Sequence, residues 1–163
     1  MKFLNLAPYL ALTVIAVALD QWIKILVETS LPMHEAVDVL PFLALYRTYN
    51  TGVAFSMFSW LGDRGLVFVS LGVILFVLYL AWRTSSANIL ARIGFALIIG
   101  GAIGNIVDRV LFGHVIDYVL FHTPVWSFAV FNLADACITV GALCVIADEF
   151  FGFGRRAEPS PGE

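Results

Sequence analysis

"FNLADACITVGALCVIADEFF" (residues 131–151) reads as a membrane helix with one flaw near its start. Asp135 stands among apolar residues there, with Asn132 three positions earlier on the same helical face. Upstream, "GHVIDYVLF" (residues 113–121) sets Asp117 in similar company. A carboxylate is expensive inside a bilayer, so two of them in apolar stretches point to function rather than packing.

The rest of the chain supports a membrane setting. Of 163 residues, 61% are hydrophobic and only 13% charged, and the mean hydropathy is +0.93, well beyond a soluble domain. The length suits one domain. The net charge of −3 is small and no basic stripe exists, so nucleic acid is not an expected partner. The first apolar run resembles a secretory signal, but Asp20, Gln21 and Lys24 follow it without a small-residue cleavage site, so it reads as a retained first helix. Cys137 and Cys144, seven apart on one helix, lie about 10 Å from each other and read as packing residues.

Spanning needs about 20 mostly apolar residues. Four stretches qualify, at about residues 6–27, 65–82, 89–109 and 132–152. The expected fold is an α-helical membrane protein with four transmembrane helices, one domain over residues 1–163, and a disordered cytoplasmic tail at 153–163. Between the first two spans, "AVDVL" and "LALYRTY" flank Pro41 and carry β-branched and aromatic residues, which predicts a small extracytoplasmic β-sheet. The stretch "LFGHVIDYVLFHTPVWSFAVF" is apolar but rich in aromatic residues, Gly, His and Pro, and reads as an interfacial segment.

Lys2, Arg83, Arg92, Arg155 and Arg156 fall inside if both termini are cytoplasmic, against Lys24, Arg47, Arg64 and Arg109 outside. The margin favours cytoplasmic termini. Up-and-down threading then brings Asp20, Lys24, Asn50, Gly52, Asn105, Asp108, Arg109, Asp117, Asn132 and Asp135 to the outer end of the bundle. Asp148 and Glu149 fall at the opposite surface.

Asp108 has Arg109 as a neighbour for an ion pair, which reads first as a structural clamp. Asp20 and Lys24, spaced i and i+4, either pair or snorkel to the interface. Asp117 and Asp135 have no basic residue beside them. Two carboxylates meeting in a low-dielectric site cannot both ionise, and the resulting acid and base suit hydrolysis of a peptide bond. The same residues would also serve a proton-coupled transporter or channel, although that use calls for polar groups along the full depth of the bundle. His34, His114 and His122 show no metal-ligand spacing, and Ser56 and Ser59 form no nucleophile elbow. No metal or cofactor is expected.

The motifs "DQWIK" (20–24), "NTGVAFS" (50–56), "GNIVDRV" (104–110), "HVIDY" (114–118) and "FNLADA" (131–136) occur in that order. Together they resemble the bacterial lipoprotein signal peptidase, or signal peptidase II, family over nearly the whole chain. The resemblance implies an aspartyl endopeptidase of the bacterial cytoplasmic (inner) membrane, expected to be monomeric. It would remove signal peptides from prolipoproteins, cutting before a cysteine that carries a diacylglyceryl group. It implies Asp117 and Asp135 as the catalytic pair and Asn50, Gly52, Asn105, Asp108, Arg109 and Asn132 as residues that bind substrate or shape the site. Asp20 and Lys24 take the part of structural support.

Overall fold

The computed structural model describes residues 6–52 and 62–152. The expected tail at 153–163, part of the "NTGVAFS" motif, Ser56, Ser59, Lys2, Arg155 and Arg156 lie outside the described residues. Helix α1 (Ala7–Ser30) leads to strands β1 (Ala36–Leu40) and β2 (Leu43–Asn50), then to helices α2 (Gly62–Arg83) and α3 (Ile89–Phe112). Strands β3 (Val115–Thr123) and β4 (Trp126–Ser127) precede helix α4 (Leu133–Phe151).

Among the described residues three helices are long and apolar enough to cross a membrane: α1, α2 from Arg64, and α3. Helix α4 occupies the position of the fourth expected span. Its 19 residues include Asp135, Asp148 and Glu149, so its composition alone does not mark it as one. Large apolar side chains such as Leu10, Trp22, Phe68 and Leu75 face outward from α1 and α2, as lipid-facing residues do.

Helix α3 is the centre of the bundle, packed against α1, α2 and α4. Its glycines allow this. A Cβ on Gly101 would collide with the carbonyl oxygen of Ala134 in α4, and one on Gly104 would lie 2.6 Å from the Asp20 carboxylate in α1. The pairing of Gly94 with Gly141 and of Gly101 with Ala134 makes α3 and α4 antiparallel. Gly100 meets Ala16 and Gly104 meets Asp20, so α1 and α3 run the same way. Small residues at such crossings let backbones approach, the main source of helix association where lipid is as apolar as leucine. The directions bring the end of α1, the end of α3 and the start of α4 to one end of the bundle.

The sheet covers that end. It has four antiparallel strands in the order β1-β2-β3-β4. The two strands expected around Pro41 are β1 and β2. The stretch expected to be interfacial contains strands β3 and β4. β-Branched and aromatic residues suit a pleated surface as well as a headgroup layer, and β2 pairs with β3 on both sides of an irregularity between Leu45 and Thr48. Gly113, with φ 74°, closes α3 in the left-handed conformation and turns the chain directly into β3. Ile116 and Tyr118 then pack on Val27 of α1. The register sets Asn50 opposite Val115 and Thr48 opposite Asp117. Arg47 fastens the sheet to α1, donating to the carbonyls of Glu28 (2.6 Å) and Leu31 (3.0 Å) at the helix end.

Asp148 departs from its expected place at the surface. It is buried, and Asn88, just before α3, donates to its Oδ2 at 2.6 Å. Glu149 is exposed.

The glycine contacts give a direct test. Gly101→Leu forces α3 from α4 and is expected to cost about 1–3 kcal/mol or more. Gly72→Ala in α2, where nothing lies within 4 Å, is expected to be neutral or slightly stabilising. Thermal unfolding of both variants in one detergent measures the contrast.

Candidate active site

Helix α1 supplies the cation of the site. Lys24 Nζ lies 2.8 Å from Asp20 Oδ2 and 2.8 Å from Asp108 Oδ2. All three side chains are at most 2% exposed, so the Asp20–Lys24 alternatives resolve to a buried pair rather than a snorkelling lysine. The remaining carboxylate oxygens are also engaged. Ala134 N–H donates to Asp20 Oδ1 (2.9 Å), and Gln21 Nε2 to Asp108 Oδ1 (2.7 Å). Ile116 N–H donates to Asp108 Oδ2 at 3.2 Å. A buried ion pair survives only when its leftover acceptors are satisfied in this way. The cluster joins α1, α3, β3 and α4.

Asp108 does not use Arg109 as its counter-ion. Neighbours in a helix point about 100° apart, so when Asp108 faces α1, Arg109 faces elsewhere. Arg109 Nη2 donates to the Gly52 carbonyl at 2.7 Å, and Nη1 to the Asn105 carbonyl at 3.5 Å.

Three asparagines connect this cluster to Asp117 and Asp135. Asn105 Oδ1 accepts from Lys24 Nζ and from Asn132 Nδ2, each at 3.2 Å. With its oxygen so committed, its amide nitrogen faces Asp135, and Nδ2 donates to Asp135 Oδ1 at 2.8 Å. Asn132 caps α4: its Oδ1 accepts from Asp135 N–H (3.0 Å), while Asp135 Oδ2 accepts from Asn132 N–H (3.3 Å). This reciprocal capping box leaves Asn132 Nδ2 to donate to Asp117 Oδ1 at 2.7 Å. Asn50 Oδ1 accepts from Gly52 N–H at 2.9 Å, and its Nδ2 donates to Asp117 Oδ2 at 2.9 Å. In each asparagine an oxygen held by a known donor fixes which way the amide points.

Asp117 is 2% exposed, and Asp135 is half-buried. Burial foremost, and then the charge of Asp135, push the Asp117 carboxyl up to about 7 against the opposing effects of Asn50, Asn132 and Lys24. Asp117 therefore keeps its proton well above the usual carboxylate range. Asn50, Asn105, Arg109 and Asp135 line a cavity of about 940 Å³ whose other walls include Val69 of α2 and Val140 of α4. Asp117 stands behind this wall, one hydrogen bond from Asn50. The chemistry available is an acid and a base at the polar end of an apolar cleft.

All ten residues singled out in the sequence gather at this end. Two further participants went unrecognised. Gln21 holds Asp108 and the Gly104 carbonyl, and only its place beside Asp20 in an apolar run hints at this. Tyr118 Oη accepts from Leu133 N–H at 3.1 Å, fixing the first turn of α4 to β3. Burial pushes its hydroxyl up to about 12, so it stays neutral.

Comparison with known proteins agrees with this architecture. The profile of the family described as Signal peptidase (SPase) II matches residues 12–151. A lipoprotein signal peptidase of Mesorhizobium japonicum is 66% identical over 154 residues, covering 94% of this chain and 90% of that one. Its counterpart in Brucella ovis is 58% identical over 147 residues, covering 90% of this chain and 92% of that one. A solved structure titled as a bacterial membrane enzyme, at 2.3 Å, superposes with a TM-score of 0.82 at 24% identity, covering 96% of this chain and 95% of that one. A second with a like title, at 1.9 Å, gives 0.78 at 25% identity, covering 88% and 93%. With its fold, its polar end and these relatives in agreement, the chain belongs to the signal peptidase II family of aspartic peptidases.

Proposed function

We propose that Asp117 and Asp135 are the catalytic pair of this peptidase, which removes signal peptides from prolipoproteins by cutting before a diacylglyceryl-modified cysteine. One observation carries the assignment. Asp117 and Asp135 are held by asparagine amides and backbone N–H groups, and among the described residues neither joins an ion pair, whereas Asp20 and Asp108 share Lys24. Amides orient a carboxylate without fixing its charge, so a proton remains free to move. Asn105, Asn132 and Asn50 are positioning residues in this reading, with Gly52 and Arg109 bracing Asn50 and the cavity wall. Asp20, Lys24 and Asp108 are the structural support.

In this reading the two carboxyl groups take different roles. Asp117, with its raised proton affinity, is the acid, and Asp135, at the cavity wall, is the base. Asp135 takes a proton from water as the water oxygen attacks the scissile carbonyl carbon. Asp117 gives its proton to the carbonyl oxygen, forming a neutral tetrahedral diol. Asp135 then returns its proton to the departing nitrogen while Asp117 recovers one from the diol hydroxyl, and the C–N bond breaks. The pair ends as it began, with one proton between two carboxylates.

The protein works as a single membrane-embedded domain in the bacterial cytoplasmic membrane. Helix α4 crosses as the fourth span, both termini are cytoplasmic, and the sheet and active site lie at the extracytoplasmic face. A diacylglyceryl group stays in the bilayer, so its peptide bond is reachable only from a cleft that opens at membrane depth. The apolar cavity walls supply that cleft.

Three measurements test this reading. Asp117→Asn and Asp135→Asn each keep the shape of the side chain and remove the exchangeable proton. Each is expected to lower kcat by about 10²–10⁴-fold or more while the folded yield stays near wild type. Near-normal turnover of either variant removes that residue from the mechanism.

The working state needs a proton on Asp117, so kcat is expected to fall as pH rises through about 7. Asp135→Asn deletes a neighbouring negative charge, so ionisation of Asp117 becomes easier and its pKa falls. Infrared absorption of the protonated carboxyl, followed across pH in both proteins, reads the shift. An unchanged or higher value in the variant contradicts the coupling.

A precursor peptide with the diacylglyceryl group is expected to be cut, and the same peptide with a bare cysteine poorly or not at all. Each buried methylene contributes about 0.8 kcal/mol, some of which positions the scissile bond rather than tightening binding. The loss should therefore appear in kcat as well as KM. Equal cleavage in one detergent removes the lipid from the recognition.

A further inference from the structure

Beside the active site, on the outer flank of the bundle, lies a second cavity of about 310 Å³ lined by Arg64, Val67, Phe68, Arg109 and Val110. Arg64 stands in the first turn of α2 and Arg109 in the last turn of α3. The two helices are antiparallel, since Val77 near the end of α2 packs with Ala91 and Phe95 at the start of α3. Both guanidinium groups therefore sit at the same membrane boundary. Just inside it, Phe68 and Val110 are 74% and 65% exposed and face lipid. Arg64 is exposed and joins no ion pair among the described residues.

We propose that this cavity binds the phosphate of an anionic glycerophospholipid from the leaflet on the active-site side, with its acyl chains lying along Phe68 and Val110. The observations fit this occupant on three counts. The Arg64 guanidinium presents forked donors that match phosphate oxygens in pairs, and the charge of Arg109 lies beside it. The start of α2 adds the positive end of a helix dipole, which favours an anion. The apolar residues lie directly below the arginines, where a lipid carries its chains and a free anion carries nothing. An uncharged-sugar or zwitterionic headgroup makes poorer use of two cations. The headgroup would rest beside the substrate cleft, because Arg109 lines both cavities.

The proposal rests on α2 and α3 being membrane spans, and its test is independent of the catalytic assignment. The full-length protein in neutral detergent is titrated with phosphatidylglycerol, phosphatidylcholine or inorganic phosphate, and bound lipid is counted by native mass spectrometry. Phosphatidylglycerol is expected to be retained more tightly than phosphatidylcholine. Arg64→Gln is expected to weaken the phosphatidylglycerol by about fivefold and to leave phosphatidylcholine unchanged. Equal retention of the two lipids, or an Arg64→Gln variant that matches wild type, overturns the proposal. So does displacement of the lipid by inorganic phosphate at equal concentration, which would mark a simple anion site. Cleavage of a lipidated precursor peptide in neutral detergent is expected to be unchanged in Arg64→Gln. Failure of wild type to cleave would overturn the peptidase reading and leave the lipid result standing.

Discussion

The structure depends on one buried ammonium group. Lys24 sits 2.8 Å from both Asp20 and Asp108, in a place where either carboxylate alone would be too costly to bury. Three elements are tied through those two carboxylates: α4 by the Ala134 N–H, β3 by the Ile116 N–H, and α1 itself by Gln21. Lys24 also reaches Asn105 Oδ1, and so decides which end of that amide meets Asp135. A charge that does not itself line the cleft thereby sets the hydrogen bonds within it.

This division of labour explains why so many polar side chains crowd one end of an apolar bundle. The Lys24 cluster bears the fold and is fully paired. Among the described residues the proposed catalytic pair is met by neutral donors, which leaves the Asp117 proton responsive to burial and to the charge of Asp135. Placing a cation directly on Asp117 would stabilise the site and pin its carboxylate in the ionised form. Asparagine is the side chain that occupies this intermediate ground, since it brings a donor and an acceptor and no charge.

Much of this was legible in the sequence, and the misses have physical causes. The four long helices followed from runs of apolar residues. The two strands around Pro41 followed from β-branched and aromatic residues, and the gathering of polar residues from simple threading. Local spacing failed where partners come from distant elements. Arg109 looked like the counter-ion of Asp108 because it is adjacent, yet Lys24 on another helix takes that role. Residues 115–123 read as interfacial from their aromatic residues, and that they form a strand depends on β2, a partner no local pattern announces. Asp148 looked like a surface residue at a helix end, and nothing near it in sequence announces Asn88. The three asparagine amides were visible as residues, but their orientations depend on which oxygen is already engaged, a property of the assembled site.

The capping box of α4 has a consequence for biosynthesis. Asp135 accepts the N–H of Asn132 to begin the helix, and Asn132, by capping the same turn, is left aimed at Asp117. The first turn of α4 and the proposed hydrolytic centre are therefore one event in assembly. On the proposed assignment, a nascent chain whose α4 is not yet wound and seated would have its two aspartates unaligned and would be inert toward the peptide bonds around it. Proteases often need a detachable inhibitor for this protection. Here the chain would be guarded by the order in which it folds, with its C-terminal helix serving as the final key.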